Sequence, residues 1–259
     1  MTVFEELRDA LRGREPVALA TVVEGPSIGA KLLVRPGAAP TGSLGNADLD
    51  RVVTRDALGE LEAGLTSTRH YGARGEARER DVSVFIESFA LPPRMIIFGA
   101  VDFTAALAKV AKVLGYRVTV CDARAVFATV QRFPMADEVV NDWPDRYLAK
   151  VGDELGPRDA VCVLTHDHKF DVPAIAAAAK TRVGYLGAMG SRRTHESRNL
   201  RLREAGVAEP DIARVMSPIG LDVGARTPEE TAISICAEII ATRTGRRAQS
   251  LRDTAGPIH

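Results

Sequence analysis

From Met95 onward, short apolar runs alternate with segments of helical periodicity, and this alternation constrains the fold more than any other feature of the chain. Regular succession of buried strands and helices is typical of a parallel α/β sheet. The predicted strands are residues 95–98, 117–121, 138–140, 159–165 and 182–186, and the predicted helices are 103–114, 173–180, 191–205 and 228–244. This order predicts a Rossmann-like, doubly wound parallel sheet over residues 95–259.

A proline pair separates this region from the residues before it. Leu91-Pro92-Pro93-Arg94 cannot continue a helix or a central strand, because proline has no backbone N–H and restricts the residue before it. We therefore predict a linker at 91–94. The preceding residues mix helical periodicity (2–11, with Gly13 as the stop, and 46–65) with strand-like runs (17–23, 31–35 and 81–87). They predict a smaller α+β domain over residues 1–90.

Composition excludes several classes of function. The 34 basic residues balance the 34 acidic ones, so the chain offers no excess positive charge to attract nucleic acid. Its uncharged apolar stretches are about half of the roughly 18 residues that a bilayer span requires, and its charged first residues are unlike a signal peptide. Three widely separated cysteines predict neither disulfides nor a cysteine zinc site. We expect a cytoplasmic protein without a membrane span.

The turn after residues 95–98 departs from a dinucleotide-binding fingerprint. Of the glycines in G-x-G-x-x-G, only Gly99 is present. Val101 replaces the glycine that admits the pyrophosphate, and Asp102 adds negative charge at the same place, so NAD(P) binding is disfavoured. Asp122 ends the next strand, where it either accepts from a ribose hydroxyl or serves as a helix cap or turn acid.

Polar residues follow the predicted strand 159–165, at the edge where open α/β sheets build their binding sites. His166, Asp167, His168 and Asp171 are candidates for hydrogen bonds to a bound ligand. A metal site is disfavoured, since no third imidazole lies nearby in the sequence. The structural alternative is a polar loop in which Asp171 caps a helix starting at 172–173.

The segment after strand 182–186 is the best candidate for an anion cradle. Gly187 and Gly190 allow close backbone approach, and Ser191 is a candidate helix N-cap. Arg192 and Arg193 oppose the helix dipole unless a negative group neutralises them, so a phosphate explains their placement. The alternative is a solvated basic turn.

The last loop and helix are mainly structural. Thr227-Pro228-Glu229-Glu230 is a capping box with proline at the first helical position, after a loop in which Asp222 and Arg226 are functional candidates. The spacing of Cys236 with Ile233, Ile239 and Ile240 predicts a buried stripe rather than a reactive thiol. Serine-hydrolase, zincin and P-loop motifs do not occur, so no catalytic residue is assigned.

Four segments together resemble the XdhC/CoxI family in residues, order and spacing. They are Leu164-Thr-His-Asp-His168 with Asp171, Tyr185-Leu-Gly-Ala-Met-Gly-Ser-Arg-Arg193, Pro218-Ile-Gly-Leu-Asp-Val-Gly224, and Thr227-Pro-Glu-Glu230 with Ala237-Glu-Ile239. The resemblance is strong over residues 94–240 and weaker before residue 90. It implies an N-terminal family domain followed by a Rossmann domain.

The family consists of accessory proteins of molybdenum hydroxylases such as xanthine dehydrogenase and carbon monoxide dehydrogenase. The resemblance implies a non-catalytic chaperone that binds molybdenum cofactor, assists its sulfuration and delivers it to the apoenzyme. A cysteine desulfurase is a further expected partner, and a homodimer is the default expectation. The residues expected to bind the cofactor are Gly99, Asp122, His166, Asp167, His168, Asp171, Gly187, Gly190, Ser191, Arg192, Arg193 and Asp222.

Two segments depart from the family pattern. The family's Gly-Ala-Gly-His-Val turn is here Gly99-Ala100-Val101-Asp102-Phe103, and its Gly-Gly-Cys segment is here Asn46-Ala47-Asp48. Both changes remove features expected to contact a ligand. Two alternatives therefore stay open beside the chaperone: a nicotinamide-dependent oxidoreductase, and a divergent paralogue that docks partners without binding cofactor.

Overall fold

The computed structural model describes residues 2–77 and 79–254, which divide into two compact units. One unit ends at Leu91 and the other begins at Pro92. The residues predicted as a linker, 91–94, lie at this division, although Arg94 is already the first residue of a strand. No helix in the described ranges is long and apolar enough to cross a bilayer.

The first unit contains an antiparallel sheet, five-stranded in the part of the chain that is described. Its strands are β1 (Val17–Glu24), β2 (Lys31–Val34), β3 (Thr41–Ser43), β4 (Ser67–Tyr71) and β5 (Val82–Phe89), in the spatial order β3-β2-β1-β5-β4. Helices α1 (Val3–Gly13) and α2 (Ala47–Ala63) pack on opposite faces, because alternate residues of β1 join the core beneath each helix. The predicted α+β class is confirmed.

Some predicted details of this unit are wrong. Strand β4 was not predicted because only Tyr71 is buried in it, as suits an edge strand. Helix α1 includes Gly13 as its last residue, and the left-handed residue that caps it is Arg14 rather than the glycine. Phe4 is exposed although the spacing predicts burial, since α1 instead buries Glu6, whose Oε2 accepts from Arg35 and Thr41.

Asn46 caps α2 in the segment that departs from the family's Gly-Gly-Cys pattern. Its Oδ1 accepts from the backbone N–H groups of Asp48 at 2.9 Å and Leu49 at 3.3 Å. The helix ends at the left-handed Gly64. The Asn46-Ala47-Asp48 segment thus starts a helix, which is a sufficient local reason for asparagine at this position.

The second unit is a parallel sheet with helices on both faces. Its strands are β6 (Arg94–Phe98), β7 (Arg117–Cys121), β8 (Glu138–Val140), β9 (Ala160–Val163), β10 (Tyr185–Ala188) and β11 (Val215–Met216), in the spatial order β11-β10-β9-β6-β7-β8. The helices are α3 (Asp102–Val113), α4 (Pro144–Val151), α5 (His168–Ala178), α6 (Arg192–Glu204), α7 (Glu209–Ala213) and α8 (Pro228–Thr244).

The strand order and the core confirm the predicted doubly wound sheet. In β6, Met95 and Ile97 join the core beneath α3 and α8, whereas Ile96 and Phe98 join the core beneath α4 and α5. A strand whose successive residues are buried on opposite sides needs helices on both faces.

Several boundaries in this unit differ from the prediction. Helix α5 begins at His168 rather than near Pro173, and β10 lies a few residues later than predicted. Elements α4, α7 and β11 were not predicted. In α8, Cys236 and Ile239 are buried, but Ile233 and Ile240 are exposed, so the predicted stripe is only partly buried.

Candidate functional site

The carboxyl ends of β6 and β9 meet at the point where the strand order reverses, which is where ligands bind in open α/β sheets. The turn after β6 lies directly against the turn after β9. A Cβ on Gly99, where φ is 110°, would lie 2.7 Å from Thr165 Cγ2 and 3.0 Å from Thr165 N. Gly99 is therefore needed both for its backbone conformation and for close packing.

Asp122 makes hydrogen bonds with the first turn and with its own loop. Its Oδ2 accepts from Ala100 N at 2.8 Å and from Arg124 Nη2 at 2.7 Å, and its Oδ1 accepts from Arg124 Nε at 2.9 Å. Burial raises the pKa of Asp122, but these hydrogen bonds outweigh burial and bring the pKa below its ordinary value. The structure therefore favours the turn-acid alternative for Asp122 over the ribose acceptor.

The residues after β9 begin α5. Asp167 caps the helix, with Oδ1 accepting from Lys169 N at 3.0 Å. His166 is exposed, whereas His168 is partly buried and its Nδ1 has no hydrogen-bond partner among the described residues. In the described ranges, no three His, Cys, Asp or Glu side chains converge on a metal position.

Asp171 is not the helix cap that the sequence suggested. The side chain of Asp167 caps the helix four residues earlier, so Asp171 lies inside α5 and is fully buried. Its Oδ1 accepts from the Thr165 hydroxyl, and its Oδ2 accepts from Arg198 Nη2 at 3.0 Å. Burial raises the pKa of Asp171, and the contacts with Thr165 and Arg198 offset only part of this rise.

Arg198 of α6 joins helix α5 to two loops at this edge, and sequence reasoning missed it. Besides Asp171, its guanidinium donates to the Met189 carbonyl at 2.6 Å and to Ser217 Oγ at 3.1 Å. The side chain has no exposed surface. Helical spacing could have placed it on the buried face, since the buried Leu202 follows four residues later.

Two further polar residues, His195 and Asn199, lie close to Arg198 along α6. Asn199 Nδ2 and His195 Nε2 are 3.1 Å apart, and burial together with the Arg198 charge lowers the pKa of His195. Among the described residues, His195 Nδ1, Asn199 Oδ1 and Arg198 Nε are buried without hydrogen-bond partners. A buried polar atom without a hydrogen-bond partner typically costs about 1–3 kcal/mol of stability. This part of α6 therefore carries donors and acceptors that no described residue satisfies.

Helix α6 starts as predicted, with Ser191 Oγ accepting from Thr194 N at 3.2 Å. A Cβ on Gly190 would meet Thr194 at 3.0 Å and Arg198 Nη2 at 3.3 Å, so this turn packs closely on the buried guanidinium. Arg192 and Arg193 are exposed, and neither has an ion-pair or hydrogen-bond partner in the described structure.

The structure brings only some of the predicted site residues together. Contacts connect Gly99 to Asp171 through Thr165, and Asp171 to Gly190 through Arg198. Gly187 is buried within β10, where Ile219 and the Tyr185 hydroxyl occupy the space beside it. Asp222 is exposed in its loop, and no described contact connects it to these residues.

Comparison with known proteins identifies both parts of the chain. The family model described as the XdhC Rossmann domain matches residues 95–239, and the model described as the XdhC and CoxI family matches residues 10–72. A solved structure described as a xanthine dehydrogenase from Bacillus halodurans superposes with a TM-score of 0.56 at 22% identity, covering 97% of this chain and 98% of that one. At this identity the likeness shows the fold alone.

Three curated relatives share part of their length with this chain. The uncharacterized protein YqeB of Escherichia coli (strain K12) is 29% identical over 94% of this chain and 46% of its own length. A probable subunit of xanthine dehydrogenase from Bacillus subtilis (strain 168) is 34% identical over 69% of this chain and 56% of its own. The molybdenum cofactor insertion chaperone PaoD of Escherichia coli (strain K12) is 31% identical over 41% of this chain and 33% of its own length. The matched part of this chain thus covers about half or less of the length of each relative.

Proposed function

The chain belongs to the XdhC and CoxI family, and we propose that it is a maturation factor for a molybdenum hydroxylase of the xanthine dehydrogenase or carbon monoxide dehydrogenase type. It binds molybdenum cofactor as cargo, assists its sulfuration and passes it to the apoenzyme. It does not itself turn over a substrate. The names of the relatives support this proposal, since one is a probable subunit of xanthine dehydrogenase and another is a molybdenum cofactor insertion chaperone.

The observation that carries the proposal is a pair of unneutralised arginines at the start of α6. Arg192 and Arg193 lie where the helix dipole is positive, yet neither has an acidic partner in the described part of the chain. A phosphate at this place neutralises both guanidinium groups and accepts hydrogen bonds from the first turn of the helix. We therefore assign the cargo's phosphate to Ser191, Arg192 and Arg193.

Polar groups of α5 and α6 fit the edges of the pterin ring of the cargo. His168 Nδ1, His195 Nδ1 and Asn199 Oδ1 are buried without partners in the described ranges, and a pterin presents both donors and acceptors along its ring edges. His166 is exposed at the carboxyl edge of the sheet and is assigned to the same pterin. Asp167 and Asp171 then act indirectly, by starting α5 and by holding Arg198.

Sulfuration is assigned to a separate partner, a cysteine desulfurase, because the chain's own thiols are poorly suited to carry sulfur. Cys121, Cys162 and Cys236 are all buried, and burial raises the pKa of Cys121 to about 12 and that of Cys236 to about 11. A sulfur carrier needs an exposed thiolate. The cytoplasm stays the predicted compartment, since unpaired cysteines are typical of reducing surroundings.

The nicotinamide alternative has less support. The Ala100 N–H that could face a pyrophosphate donates to Asp122, and both carboxylate oxygens of Asp122 already accept hydrogen bonds. A ribose hydroxyl at Asp122 would have to compete with Arg124. A docking factor without cargo remains the second candidate, favoured by the two segments that depart from the family pattern.

An anaerobic titration with molybdenum cofactor tests the proposal. Cargo retained after gel filtration is measured as oxidised-pterin fluorescence and as molybdenum, for the wild type and the Arg192→Gln/Arg193→Gln variant. We expect stoichiometric retention by the wild type and at least about tenfold weaker binding by the variant, from the loss of charge-assisted hydrogen bonds. Arg201→Gln, an exposed arginine in the last turn of the same helix, is the matched control and should bind as the wild type does.

The titration has two contrary outcomes. Unchanged retention by the double variant would remove both arginines from the site. Absence of retention by the wild type would remove the cargo itself and leave partner docking as the function to pursue.

A further inference from the structure

Aromatic and basic side chains cluster on two loops and the first turn of α5, which follow three strands of the parallel sheet. Arg124 and Phe127 follow β7, Trp143 follows β8, and Lys169 and Phe170 follow β9. These five residues are called the aromatic cluster below. All three segments lie at the carboxyl edge of the sheet, because the strands are parallel.

The rings and cations of the aromatic cluster are in direct contact. The ring centroids of Trp143 and Phe170 are 5.2 Å apart, with an interplanar angle of 39°. Arg124 Cζ lies 4.7 Å from the Phe127 centroid and 5.7 Å from that of Phe170. Because two hydrogen bonds to Asp122 hold the guanidinium, Arg124 is a fixed part of the cluster.

Charge within the aromatic cluster is not balanced. The Arg124 charge is compensated by Asp122 at 2.7 Å. Lys169 Nζ lies 5.1 Å from the Trp143 centroid and 5.6 Å from that of Phe170, and no acidic side chain pairs with it in the described ranges. The cluster therefore presents one uncompensated ammonium group beside aromatic rings.

The aromatic cluster is partly exposed: Phe170 is buried and Trp143 is half-buried, but Phe127 lies at the surface. Phe127 is 38% exposed, and its neighbours Val126 and Val130 are 74% and 69% exposed. Neighbouring exposed apolar side chains at a sheet edge that builds binding sites are typical of a ligand contact. Lys169 lies beside the partly buried ring of Trp143, and a ring next to an uncompensated cation is suited to a flat ligand that carries negative charge.

We propose that the aromatic cluster binds a planar nitrogen heterocycle with an anionic substituent, which lies against Phe127 and Trp143 while Lys169 pairs with its charge. The inference rests on the proposed function, in which that heterocycle is the pterin of the cargo. Strands β9 and β10 are neighbours, about 5 Å apart, so the first turns of α5 and α6 start side by side. One ligand can therefore contact Lys169 together with Arg192 and Arg193, the residues proposed to bind the phosphate.

Trp143 makes this inference directly measurable, because it is the sole tryptophan of the sequence. We would titrate the full chain with pterin-6-carboxylate and record the tryptophan emission, with adenosine monophosphate as a second probe. The pterin probe represents the cargo. The nucleotide probe represents a nucleobase with its phosphate, which is also a planar nitrogen heterocycle with an anionic substituent. We expect saturable quenching by the pterin and a dissociation constant at least tenfold higher for the nucleotide.

Two variants with matched controls locate the binding. Lys169→Gln removes the free charge, and Lys180→Gln removes a lysine just beyond the other end of α5. Phe127→Ala removes the exposed ring, and Val126→Ala truncates its exposed neighbour. We expect Lys169→Gln and Phe127→Ala each to raise the dissociation constant about five- to tenfold, and both controls to leave it within a factor of two. All four positions are exposed, so folding should be retained.

The outcomes separate this inference from the proposed function. If the wild type retains molybdenum cofactor but neither variant changes pterin binding, the aromatic cluster is not the ring site and the function stands. If the variants weaken pterin binding but molybdenum cofactor is not retained, the ring site stands and the cargo assignment fails. Equal or tighter binding of adenosine monophosphate would overturn the pterin assignment, and no quenching by either probe would overturn the site.

Discussion

Arg198 Nη2 and Asp171 Oδ2 are 3.0 Å apart, and neither side chain has any exposed surface. The pair joins α6 to α5, while the same guanidinium also holds Met189 and Ser217. Arg198 therefore holds α5 and two loops that carry or adjoin the candidate site residues.

Removing Arg198 should strongly destabilise the fold. Arg198→Met leaves the carboxylate of Asp171 buried without its cation, which typically costs about 3–5 kcal/mol. The free energy of unfolding from urea titration measures the loss. Arg198→Met with Asp171→Asn removes the stranded charge and should recover part of the loss. If the double variant is no more stable than Arg198→Met, the ion pair is not what makes Arg198 important.

Alanine at Gly99 should be much more costly than alanine at an unhindered glycine. Gly99→Ala combines a positive φ with a Cβ 2.7 Å from Thr165 Cγ2, and we expect a loss of about 2–5 kcal/mol. Gly115→Ala is the control, since φ is also positive there but no atom lies within 4 Å of the added Cβ. It should cost about 1–2 kcal/mol.

The double variant Gly99→Ala/Thr165→Ser separates the cost of the positive φ from the cost of the close contact with Thr165. Serine lacks the methyl group that the new Cβ meets, so part of the stability should return in chemical denaturation. Equal losses for Gly99→Ala and Gly115→Ala would contradict the close contact between the two turns.

Asp122 should make stability depend on pH in the acidic range. Its pKa is lowered in the folded chain, so the carboxylate contributes stability above the unfolded value of about 3.9, and this contribution is lost as the pH falls through the folded pKa. Asp122→Asn should lose about 1.5–3 kcal/mol at pH 7. Unfolding free energies at a series of pH values from 7 to 3 should show the gap between wild type and variant closing at low pH. A constant gap would mean that the charge of Asp122 is not stabilising.

NADH should not stabilise this protein. Val101 replaces the second glycine of the fingerprint, Asp102 adds negative charge next to it, and the Ala100 N–H already donates a hydrogen bond to Asp122. Thermal unfolding with and without NADH should give the same Tm, and NADH fluorescence should be unchanged by the protein. A saturable shift in either signal would instead support the oxidoreductase alternative.

The sequence by itself determined the parts of this protein that depend on local order. Alternating apolar runs and helical periods predicted the doubly wound sheet, because a buried strand and an amphipathic helix each leave their own repeat in the sequence. The Ser191 cap and the Thr227 capping box were also predictable, since both are contacts within one helical turn.

Only the tertiary structure decided which polar groups are paired. Asp171 and Arg198 lie 27 residues apart and Ala100 and Asp122 lie 22 apart, and each pair meets because the strand order brings the segments after neighbouring strands together. Arg198 is one of several arginines in α6, and a charge is buried or exposed according to what packs against it. Pairing across the sheet edge leaves no periodic trace in the chain, so the partners of Arg198 and the aromatic cluster emerged only from the fold.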